Sequence, residues 1–375
     1  MKTLLIFHPS SELYGADRIL VKVLANMDSS MKKIIILRKE GPLSDFLKEH
    51  VVNIEVHYCD FFPVIYRDIF NVKGILKFFK NYVSFFFYLQ KMHKKFQFDY
   101  AYINTLSCSF LTIPLSILGI KRFVHVHEII ESPKVIAQVT AGLLKFFATK
   151  VVCVSKAVED NLLKMFPSIA EKSQVIYNGI IPIPTNNRLP GSVIRFYLFG
   201  RIKYEKGHWF LLNALKDLPK NILVNCRFIM VGSPLLGKEN ILHEINTFLK
   251  KHGLSQVVFQ KDFVPDISTE MNLADVCLVP SIMKDPFPTT VLEAMSAGKA
   301  VISTNNGGAV EALNKSCAIL VGPNDVPALA KAIESLVLYP EKIVQLGNKG
   351  RNRYKKYYSN EVFVENWRQF LYGIA

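Results

Sequence analysis

Short apolar segments alternate with helix-length segments along the whole chain, and this alternation is what most constrains its fold. The first half contains KTLLIFH, KKIIILR, NIEVHY, DYAYIN, RFVHVH and KVVCVS, each followed by a stretch of helical composition. A second series then follows, made of VIRFYLFG, CRFIMVG, QVVFQ, DVCLVP, KAVIST and CAILVG. Continuous apolar strands separated by helices form parallel sheets that are covered on both faces. The sequence therefore predicts an α/β protein with two doubly wound domains.

One stretch between the two series has the composition of a linker. Residues 178–192 contain three prolines, two glycines and three asparagines, which interrupt helices and strands. At 375 residues the chain also exceeds what a single hydrophobic core usually serves. We therefore expect an N-terminal domain at 1–189 and a C-terminal domain at 190–359. A C-terminal helix at about 360–375 is expected to pack back onto the first domain.

Composition and short patterns argue against several classes of protein. The six cysteines are scattered and form no CxxC pair, so neither a disulfide framework nor a zinc site is indicated, and a reducing, cytosolic setting fits best. The opening residues MKTLLIFHPS lack a cleavage-site pattern and indicate a first strand rather than a signal peptide. No window approaches the roughly 18 uninterrupted apolar residues of a spanning helix, so we expect no transmembrane segment.

The net charge of +15 indicates an anionic partner, and one segment concentrates this charge. Residues 66–95 hold seven Lys or Arg against one Asp, a balance of +6, and the basic residues are interleaved with phenylalanines. Basic and bulky aromatic residues at helical spacing are typical of a helix that lies on an anionic membrane. A long domain helix with an aromatic core face and a solvated basic face explains the pattern equally well. Nucleic acid is disfavoured as a partner because no binding motif accompanies the charge.

A basic turn follows the first strand of the second series. In doubly wound sheets, ligands bind at the edge where the strands have their carboxyl ends. The turn after RFYLF reads GRIKYEKG and contains Gly200, Arg201, Lys206 and Gly207 just before a helix. A tight glycine turn, a helix N-terminus and two cations together form an anion site that suits a diphosphate. An ordinary basic surface loop is the alternative interpretation, because short Gly/Lys loops are common.

The stretch DPFPTTVLEAMSAGKAVI at 285–302 contains two carboxylates, Asp285 and Glu293. Its prolines keep the first half in a loop, and helical composition begins at Thr289. At this second helix N-terminus the backbone N–H groups of Thr289 and Thr290 can hold phosphate oxygens. The neighbours of Glu293 are nearly all apolar, so we expect a buried acid whose partners are ligand hydroxyls. The alternative is an acid that only complements the positive end of the helix.

Two further turns have the same character, and one strand ends in a histidine. SELYGADRIL places Gly15 at a helix start directly after the first strand, and NNGGAVEAL places Gly307 and Gly308 before another helix. RFVHVH ends at His127, which alternation puts on the same face as His125. A strand histidine is more often structural, and packing alone accounts for one of this pair. His127 lies closer to the carboxyl edge and is the candidate for a functional role.

These residues together resemble a known family. Over nearly the whole chain, and most specifically over 196–325, the sequence is similar to the GT-B-fold retaining glycosyltransferases of family 4, also called glycosyl transferases group 1, of the bacterial surface-polysaccharide type. The segments that carry the resemblance are FGRIKYEKG, FVPDISTEMNLADVCLVPS and DPFPTTVLEAMSAGKAVISTNNGGAVE. The resemblance implies a GT-B fold, in which two Rossmann-like domains face each other across a cleft, the first on the acceptor side and the second binding the donor.

The resemblance also implies roles for individual residues. It places the donor diphosphate on Arg201 and Lys206, the donor sugar against Asp285, and the nucleotide ribose on Glu293. It assigns catalytic roles to His127, Asp285, Arg201 and Lys206. The implied donor-binding set, in which Phe263 and Val264 lie beside the base, comprises Gly15, Gly200, Arg201, Lys206, Phe263, Val264, Asp285, Pro288, Thr289, Thr290 and Glu293.

The resemblance implies transfer of a sugar, with retention, from a UDP- or GDP-linked donor to a glycan or polyprenyl-diphosphate-linked acceptor. Such a hexosyltransferase would serve synthesis of O-antigen, capsule or lipopolysaccharide at the inner face of the plasma membrane. No DxD-type acidic pair stands where a metal would bridge the diphosphate, so we expect neither a metal nor another cofactor.

Two departures from the family pattern keep other functions open. Asp285 stands where the family usually has glutamate, and Tyr14–Gly15 replaces a pair of glycines. A catalytically silent nucleotide-sugar-binding subunit is therefore one alternative. A nucleotide-sugar epimerase on the same fold is another, whereas a phosphorylase would need phosphate machinery that the sequence does not offer.

Overall fold

The computed structural model describes residues 2–13, 15–65, 72–185, 189–235 and 237–374. Contacts within the chain divide it into two compact units. The first unit comprises Met1–Tyr177 together with Val364–Ala375, and the second unit comprises Asn178–Phe363.

The first unit is built on a parallel sheet. Its strands are β1 (Thr3–Phe7), β2 (Lys32–Leu37), β3 (Ile54–Tyr58), β4 (Tyr100–Asn104), β5 (Lys121–Val126), β6 (Lys150–Cys153) and β7 (Ser173–Val175). The helices between them are α1 (Gly15–Ala25), α2 (Pro42–His50), α3 (Val72–Phe96), α4 (Thr112–Ile117), α5 (Lys134–Phe147) and α6 (Lys156–Leu163). Over the residues that the structure describes, the strand order is β3-β2-β1-β4-β5-β6-β7.

The second unit repeats this design. Its strands are β8 (Ile194–Phe199), β9 (Cys226–Val231), β10 (Val258–Lys261), β11 (Val276–Val279), β12 (Ala300–Thr304) and β13 (Ile319–Val321), in the order β10-β9-β8-β11-β12-β13. Its helices are α7 (His208–Lys216), α8 (Lys220–Leu223), α9 (Asn240–Lys251), α10 (Ser268–Leu273), α11 (Thr289–Ser296), α12 (Ala309–Ala312), α13 (Val326–Leu338) and α14 (Glu341–Tyr357). A final helix, α15 (Asn360–Ile374), begins in the second unit and ends in the first.

Adjacent strands pair in parallel throughout both sheets. The order of strands reverses between β1 and β4 in the first unit and between β8 and β11 in the second. The predicted α/β class with two doubly wound parallel sheets is therefore confirmed. In such sheets a crevice forms at the carboxyl ends of the strands beside the reversal. The turns that follow β1, β4, β8 and β11 are accordingly the positions where ligand-binding groups belong.

Apolar strands account for the cores of both units. Every residue of β1, β4 and β12 is buried, as expected when helices cover both faces of a parallel sheet. In the first unit, Trp367 of α15 is 1% exposed and packs against the rings of Tyr102 of β4 and His125 of β5, with ring-centroid distances of 6.0 and 4.9 Å. The last helix thus supplies a large aromatic side chain to the core of the first sheet. The six cysteines are buried free thiols.

The division between the units falls earlier in the chain than the linker composition indicates. We place the boundary near residue 190 from the sequence, whereas contacts place it between Tyr177 and Asn178. The intervening residues make hydrogen bonds within the second unit, because the Ile183 N–H donates to Ser296 Oγ at 3.2 Å and the Tyr354 hydroxyl donates to the Ile180 carbonyl at 2.7 Å. Proline and glycine content marks a segment without regular structure, but it does not reveal which core that segment packs on.

Helix α3 covers most of the basic aromatic segment, of which residues 66–71 lie outside the described residues. One face of α3 is core, with Phe85 and Leu89 buried completely. A second face leaves five large apolar side chains 41–65% exposed, and we call these the apolar stripe of α3: Ile75, Leu76, Phe79, Val83 and Phe87. The helix therefore has the aromatic core face of a domain helix, and it also exposes apolar and basic side chains. Among the described residues, none of the helices has the length and apolar character needed to cross a bilayer.

Candidate functional site

The turn after β8 contains the predicted cations and is shaped by glycines. Gly200 has a φ of +142°, and a Cβ placed there would meet nothing within 4 Å, so the backbone beside it is open to an approaching group. Gly207 has a φ of +80° and caps α7, and a Cβ there would lie 1.9 Å from the Pro280 carbonyl oxygen. Only glycine fits at this position, where the turn presses against the chain that follows β11. Arg201 lies at the start of the turn and is half-buried.

Lys206 and Asp285 meet across this contact. The Lys206 Nζ lies 2.6 Å from the Asp285 Oδ2, with the two side chains 33% and 21% exposed. The backbone joins the same two segments, because the Ile282 N–H donates to the Glu205 carbonyl at 3.0 Å. Two of the predicted site residues, from segments 79 positions apart, therefore form one charge-assisted hydrogen bond.

The NNGG turn supports the loop that contains Asp285. A Cβ on Gly307 would lie 2.4 Å from the Asp285 carbonyl oxygen, and a Cβ on Gly308 would lie 1.9 Å from that of Pro286. The Gly308 N–H donates to the Asp285 carbonyl at 2.8 Å. The sequence suggested an anion-binding turn here, but the glycines are needed because the two backbones pack directly on each other.

Helix α11 begins at Thr289, as the composition predicts, and its N-terminus has no side-chain cap. Pro288 occupies the capping position and is buried, while Thr289 and Thr290 are half-buried. The first N–H groups of a helix lack partners within the helix and carry partial positive charge. This N-terminus follows the loop of Asp285 directly and can accept an anion there.

Glu293 differs from the expectation of a buried acid. Its neighbours Leu292 and Ala294 are buried, but Glu293 itself is half-buried. In this eight-residue helix it shares its half-buried face with Thr289 and Thr290, whereas the residues on the other faces are buried. Burial, together with the Glu293 charge, raises the pKa of the Cys277 thiol in β11, which places the carboxylate within electrostatic range of that strand. A half-open acid is accessible to a ligand hydroxyl.

The turn after β10 presents an exposed aromatic ring. Phe263 is 60% exposed, and its N–H donates to Ser233 Oγ at 3.1 Å, which links this turn to the one after β9. The adjacent Val264 is half-buried. An exposed ring held by its backbone at the carboxyl edge of the sheet suits stacking on a planar base.

A cluster of polar side chains lies at the carboxyl ends of β1, β4 and β5 in the first unit. We call it the histidine cluster, and it comprises His8, Asp17, Tyr102, Asn104, His125 and His127. His8 Nε2 lies 2.6 Å from Asp17 Oδ1, and His8 Nδ1 lies 2.9 Å from Asn104 Nδ2. On its other side, Asn104 Oδ1 lies 2.9 Å from His127 Nε2. The Tyr102 hydroxyl is 2.8 Å from His125 Nδ1, which is itself 3.1 Å from His127 Nε2.

The sequence identified His127 but missed three of its partners. His8 follows β1 directly, Asn104 is the last residue of β4, and Asp17 lies in the first turn of α1. A polar residue at the end of each central strand was the available signal, because those ends converge at the strand reversal. Gly15 opens α1 beside this cluster, and a Cβ there would meet nothing within 4 Å. The neighbouring Tyr14 of the predicted YGAD loop lies outside the described residues.

Burial sets the charge of the groups in this region. It lowers the pKa of His127 to about 3, with a smaller contribution from His8, and it holds the pKa of His125 well below its usual range. Both rings are therefore neutral near pH 7. Burial also raises the pKa of Glu128 to about 7, against the N–H groups of Leu106 and His127, which donate to this carboxylate at 3.1 and 3.0 Å. Over the described residues, no group of three or more His, Cys, Asp or Glu side chains has the arrangement of a metal site.

Two doubly wound units of this kind have the architecture of the GT-B glycosyltransferases. The crystal structure of Alr3699/HepE from Anabaena in complex with UDP-glucose matches this chain with a TM-score of 0.80, at 20% sequence identity, over 100% of both chains. At that identity the likeness shows the fold alone.

The family follows from the sequence. Residues 44–182 match the family described as Glycosyltransferase Family 4, and residues 183–353 match Glycosyl transferases group 1. The two matches adjoin and together cover most of the chain. The protein belongs to this glycosyltransferase family.

The curated relatives have low sequence identity to this chain, and the similarity covers only part of each protein. Spore coat protein SA of Bacillus subtilis (strain 168) is 26% identical over 244 residues, which are 58% of this chain and 63% of that protein. The lipopolysaccharide 1,2-N-acetylglucosaminetransferase of Salmonella typhimurium is 29% identical over 116 residues, 30% of each chain. The chain thus spans less than two thirds of the length of either relative.

Proposed function

We propose that this protein transfers a sugar from a nucleoside-diphosphate sugar to a hydroxyl of a glycan or lipid-linked acceptor. The observation that carries the proposal is the Lys206–Asp285 contact, which lies beside the uncapped N-terminus of α11 at the strand reversal of the second sheet. A cation and free N–H groups suit a diphosphate, and the carboxylate next to them suits the hydroxyls of a sugar. Membership of the family supports the same activity.

In this proposal the donor occupies the second unit in an extended manner. Phe263 stacks on the base, Glu293 accepts hydrogen bonds from the ribose hydroxyls, and Gly200 leaves room for the diphosphate. The remaining contacts of the donor are Arg201, Lys206, Val264, Pro288, Thr289 and Thr290 with the nucleotide and Asp285 with the sugar. UDP is the first nucleotide to test, because UDP and UDP-glucose are bound in structures of the same fold.

The chemical barrier lies in breaking the bond between the anomeric carbon and the diphosphate oxygen. Negative charge grows on the departing diphosphate, and groups already aimed at that charge lower the barrier. Lys206, Arg201 and the N-terminus of α11 are such groups, so we propose that the reaction needs no metal ion or other cofactor. We also propose that the anomeric configuration is retained, with the departing phosphate taking the proton of the attacking hydroxyl. His127 of the first unit is proposed to act on the acceptor side.

The biological role that we propose is synthesis of a cell-surface polysaccharide. Support comes from the likeness to a lipopolysaccharide N-acetylglucosaminetransferase, although that match covers 30% of this chain. A catalytically silent subunit is the second candidate, because Asp285 replaces the glutamate that the family usually has. Titration calorimetry that shows donor binding with no turnover on any glycan or lipid-linked acceptor would favour the silent subunit.

The donor is identified by a thermal-shift panel of nucleotide sugars. A ligand present at a hundred times its Kd stabilises the folded state by about 2.7 kcal/mol, which corresponds to roughly 5–10 °C in Tm for a unit of this size. We expect one nucleotide sugar to give a shift in this range and its competitors to give less than half of it. The free sugar of the same donor is the control, because it lacks the diphosphate and the base. If no nucleotide sugar raises Tm, the donor assignment is wrong.

We further propose that α3 binds an anionic membrane, where a lipid-linked acceptor resides. Lys73, Lys77 and Lys80 are exposed on the same helix as the apolar stripe of α3. Each lysine near an anionic leaflet contributes about 1 kcal/mol, and exposed phenylalanines can enter the headgroup region. The protein would then lie in the cytoplasm, peripherally on the inner face of the plasma membrane.

Vesicle co-sedimentation tests this role of α3. We expect binding to vesicles that contain anionic lipid, loss of binding at high ionic strength, and a reduction of at least about tenfold in Lys77→Glu/Lys80→Glu. Lys250→Glu/Lys251→Glu is the matched control, since these are also exposed lysines on a helix, in the second unit. An equal reduction of vesicle binding in both double variants would show that net charge, and not the position of the lysines on α3, controls binding. Equally weak binding to neutral and anionic vesicles would make α3 an ordinary domain helix and favour a soluble acceptor.

A further inference from the structure

The histidine cluster contains a chain of hydrogen bonds whose proton positions follow from chemistry. The Asp17 carboxylate can only accept hydrogen bonds, so the His8 Nε2 atom at 2.6 Å must carry the proton between them. The opposite nitrogen, Nδ1, faces a group that can only donate, so Nδ1 is an acceptor and carries no proton. Asn104 faces Nδ1 with its Nδ2 amide group at 2.9 Å, which donates to it. Each bond in the chain thus determines the direction of the next.

The orientation of the Asn104 side-chain amide determines which nitrogen of His127 carries the proton. Because the amide nitrogen faces His8, the carbonyl oxygen Oδ1 faces His127 Nε2 at 2.9 Å, and this oxygen can only accept. The Tyr102 hydroxyl, 3.1 Å from the same oxygen, also donates to it. His127 Nε2 must therefore carry the proton. A neutral imidazole has one proton on its ring nitrogens, so Nδ1 of His127 has an unshared electron pair.

The surroundings allow few other arrangements. His8, Asp17 and Asn104 are 1%, 3% and 0% exposed, so water does not compete for these bonds. His127 is half-buried, and its Nδ1 has no hydrogen-bond partner among the residues that the structure describes.

We propose that Asp17, His8 and Asn104 are positioning residues that fix His127 as the Nε2–H tautomer, so that its Nδ1 accepts a hydrogen bond from a substrate hydroxyl. This inference rests on the proposed function for the identity of the substrate, but the tautomer does not depend on it. The low pKa of His127 makes Nδ1 a hydrogen-bond acceptor that orients a hydroxyl rather than a base that removes its proton. A fixed acceptor distinguishes a hydroxyl from a group that cannot donate.

The tautomer of His127 is measured directly by long-range ¹H–¹⁵N correlation spectra of the ¹⁵N-histidine-labelled full chain, with His127→Gln to assign the signal. We expect the Nε2–H form between about pH 6 and pH 8, since burial lowers the pKa of His127 to about 3 and the ring stays neutral over this range. This measurement needs no substrate. A His127 in the Nδ1–H form, or in rapid exchange between both forms, overturns the inference.

Asp17→Asn tests whether the proton position depends on the far end of the chain of bonds. The Ser10 hydroxyl donates to Asp17 Oδ2 at 3.4 Å and itself accepts from the Glu12 N–H at 3.1 Å, so an amide that keeps this bond places its oxygen there and presents its NH₂ group to His8. His8 then carries its proton on Nδ1, Asn104 turns over, and His127 Nε2 becomes an acceptor. We expect the ratio of Nε2–H to Nδ1–H forms at His127 to fall at least tenfold. With an active protein we expect kcat to fall at least about tenfold while the donor KM changes less than about threefold.

Glu55→Gln is the matched control, because Glu55 Oε1 binds His57 Nε2 at 2.7 Å in the same unit but on the edge strand β3. It should change neither the His127 tautomer nor kcat. If Asp17→Asn does not fold, the wild-type tautomer still decides the question. A wild-type protein with the expected tautomer but no sugar transfer contradicts the proposed function and leaves the inference standing. Sugar transfer by the wild-type protein, together with an unchanged His127 tautomer in folded Asp17→Asn, supports the proposed function and overturns the inference.

Discussion

Replacing Lys206 with alanine is expected to lower the kcat of sugar transfer by about a hundredfold, with a smaller change in KM. In the proposed mechanism the ammonium group stabilises the diphosphate as it departs, and removing one preorganised contact of this kind costs about 3 kcal/mol in the transition state. Arg201→Ala should act in the same direction. Full activity in EDTA should accompany both results, since in the proposed mechanism the two cations and the N-terminus of α11 take the place of a metal. Steady-state kinetics with the cognate donor is the measurement.

Lys203→Ala is the control for this experiment. Lys203 belongs to the same turn, and its backbone carbonyl accepts hydrogen bonds from the Lys206 N–H at 3.3 Å and from His208 Nδ1 at 3.1 Å. Loss of its side chain removes one positive charge while keeping those bonds. An equal loss of kcat in both variants would mean that local charge alone matters. A strict requirement for magnesium or manganese would contradict the role assigned to Lys206.

Replacing Glu293 with alanine is expected to weaken donor binding by about 30-fold. A hydrogen bond to a charged group contributes about 1.5–3 kcal/mol, and 2 kcal/mol corresponds to that ratio of Kd values. Because Glu293 is half-buried, the truncation opens no closed cavity, and Tm without ligand should change little. Titration calorimetry with the cognate donor and with the free nucleoside diphosphate measures the effect, which should be the same for both if the ribose is the partner.

Glu334→Ala provides the comparison for Glu293. Glu334 is also a half-buried acid on a helix of the second unit, and it lies in the third turn of α13, away from the carboxyl edge of the sheet. Its loss should leave the Kd of the donor unchanged. Unaltered donor binding in a folded Glu293→Ala protein would reduce Glu293 to an acid that complements the positive end of α11.

Local patterns were sufficient to predict the fold. The apolar runs that became β1, β4, β8 and β11 are flanked by glycine, proline and helical stretches, so both their class and their parallel pairing could be inferred from the sequence. The prediction that α11 begins at Thr289 succeeded for a similar reason, because proline excludes helix on one side and permits it on the other.

Tertiary contacts explain what the sequence could not reveal. The Lys206–Asp285 contact and the packing of Gly307 and Gly308 join segments far apart in the chain, and no local pattern encodes which loops approach each other. The burial of Glu293 was overestimated because apolar neighbours along a helix do not determine which side faces the sheet. The histidine cluster was missed because His8, Asn104 and Asp17 acquire meaning only when the strand order brings them together.

The return of α15 to the first unit affects how the chain folds during synthesis. Trp367 fills the core beside Tyr102 and His125, yet the ribosome makes it after the whole of the second unit. The second unit has its two ends held together by the bridge between Ile180 and Ser359, so it can close on itself as soon as it emerges. The first unit, whose strands are translated first, is therefore completed last. Until Trp367 arrives, a gap the size of an indole leaves β4 and β5 incompletely covered.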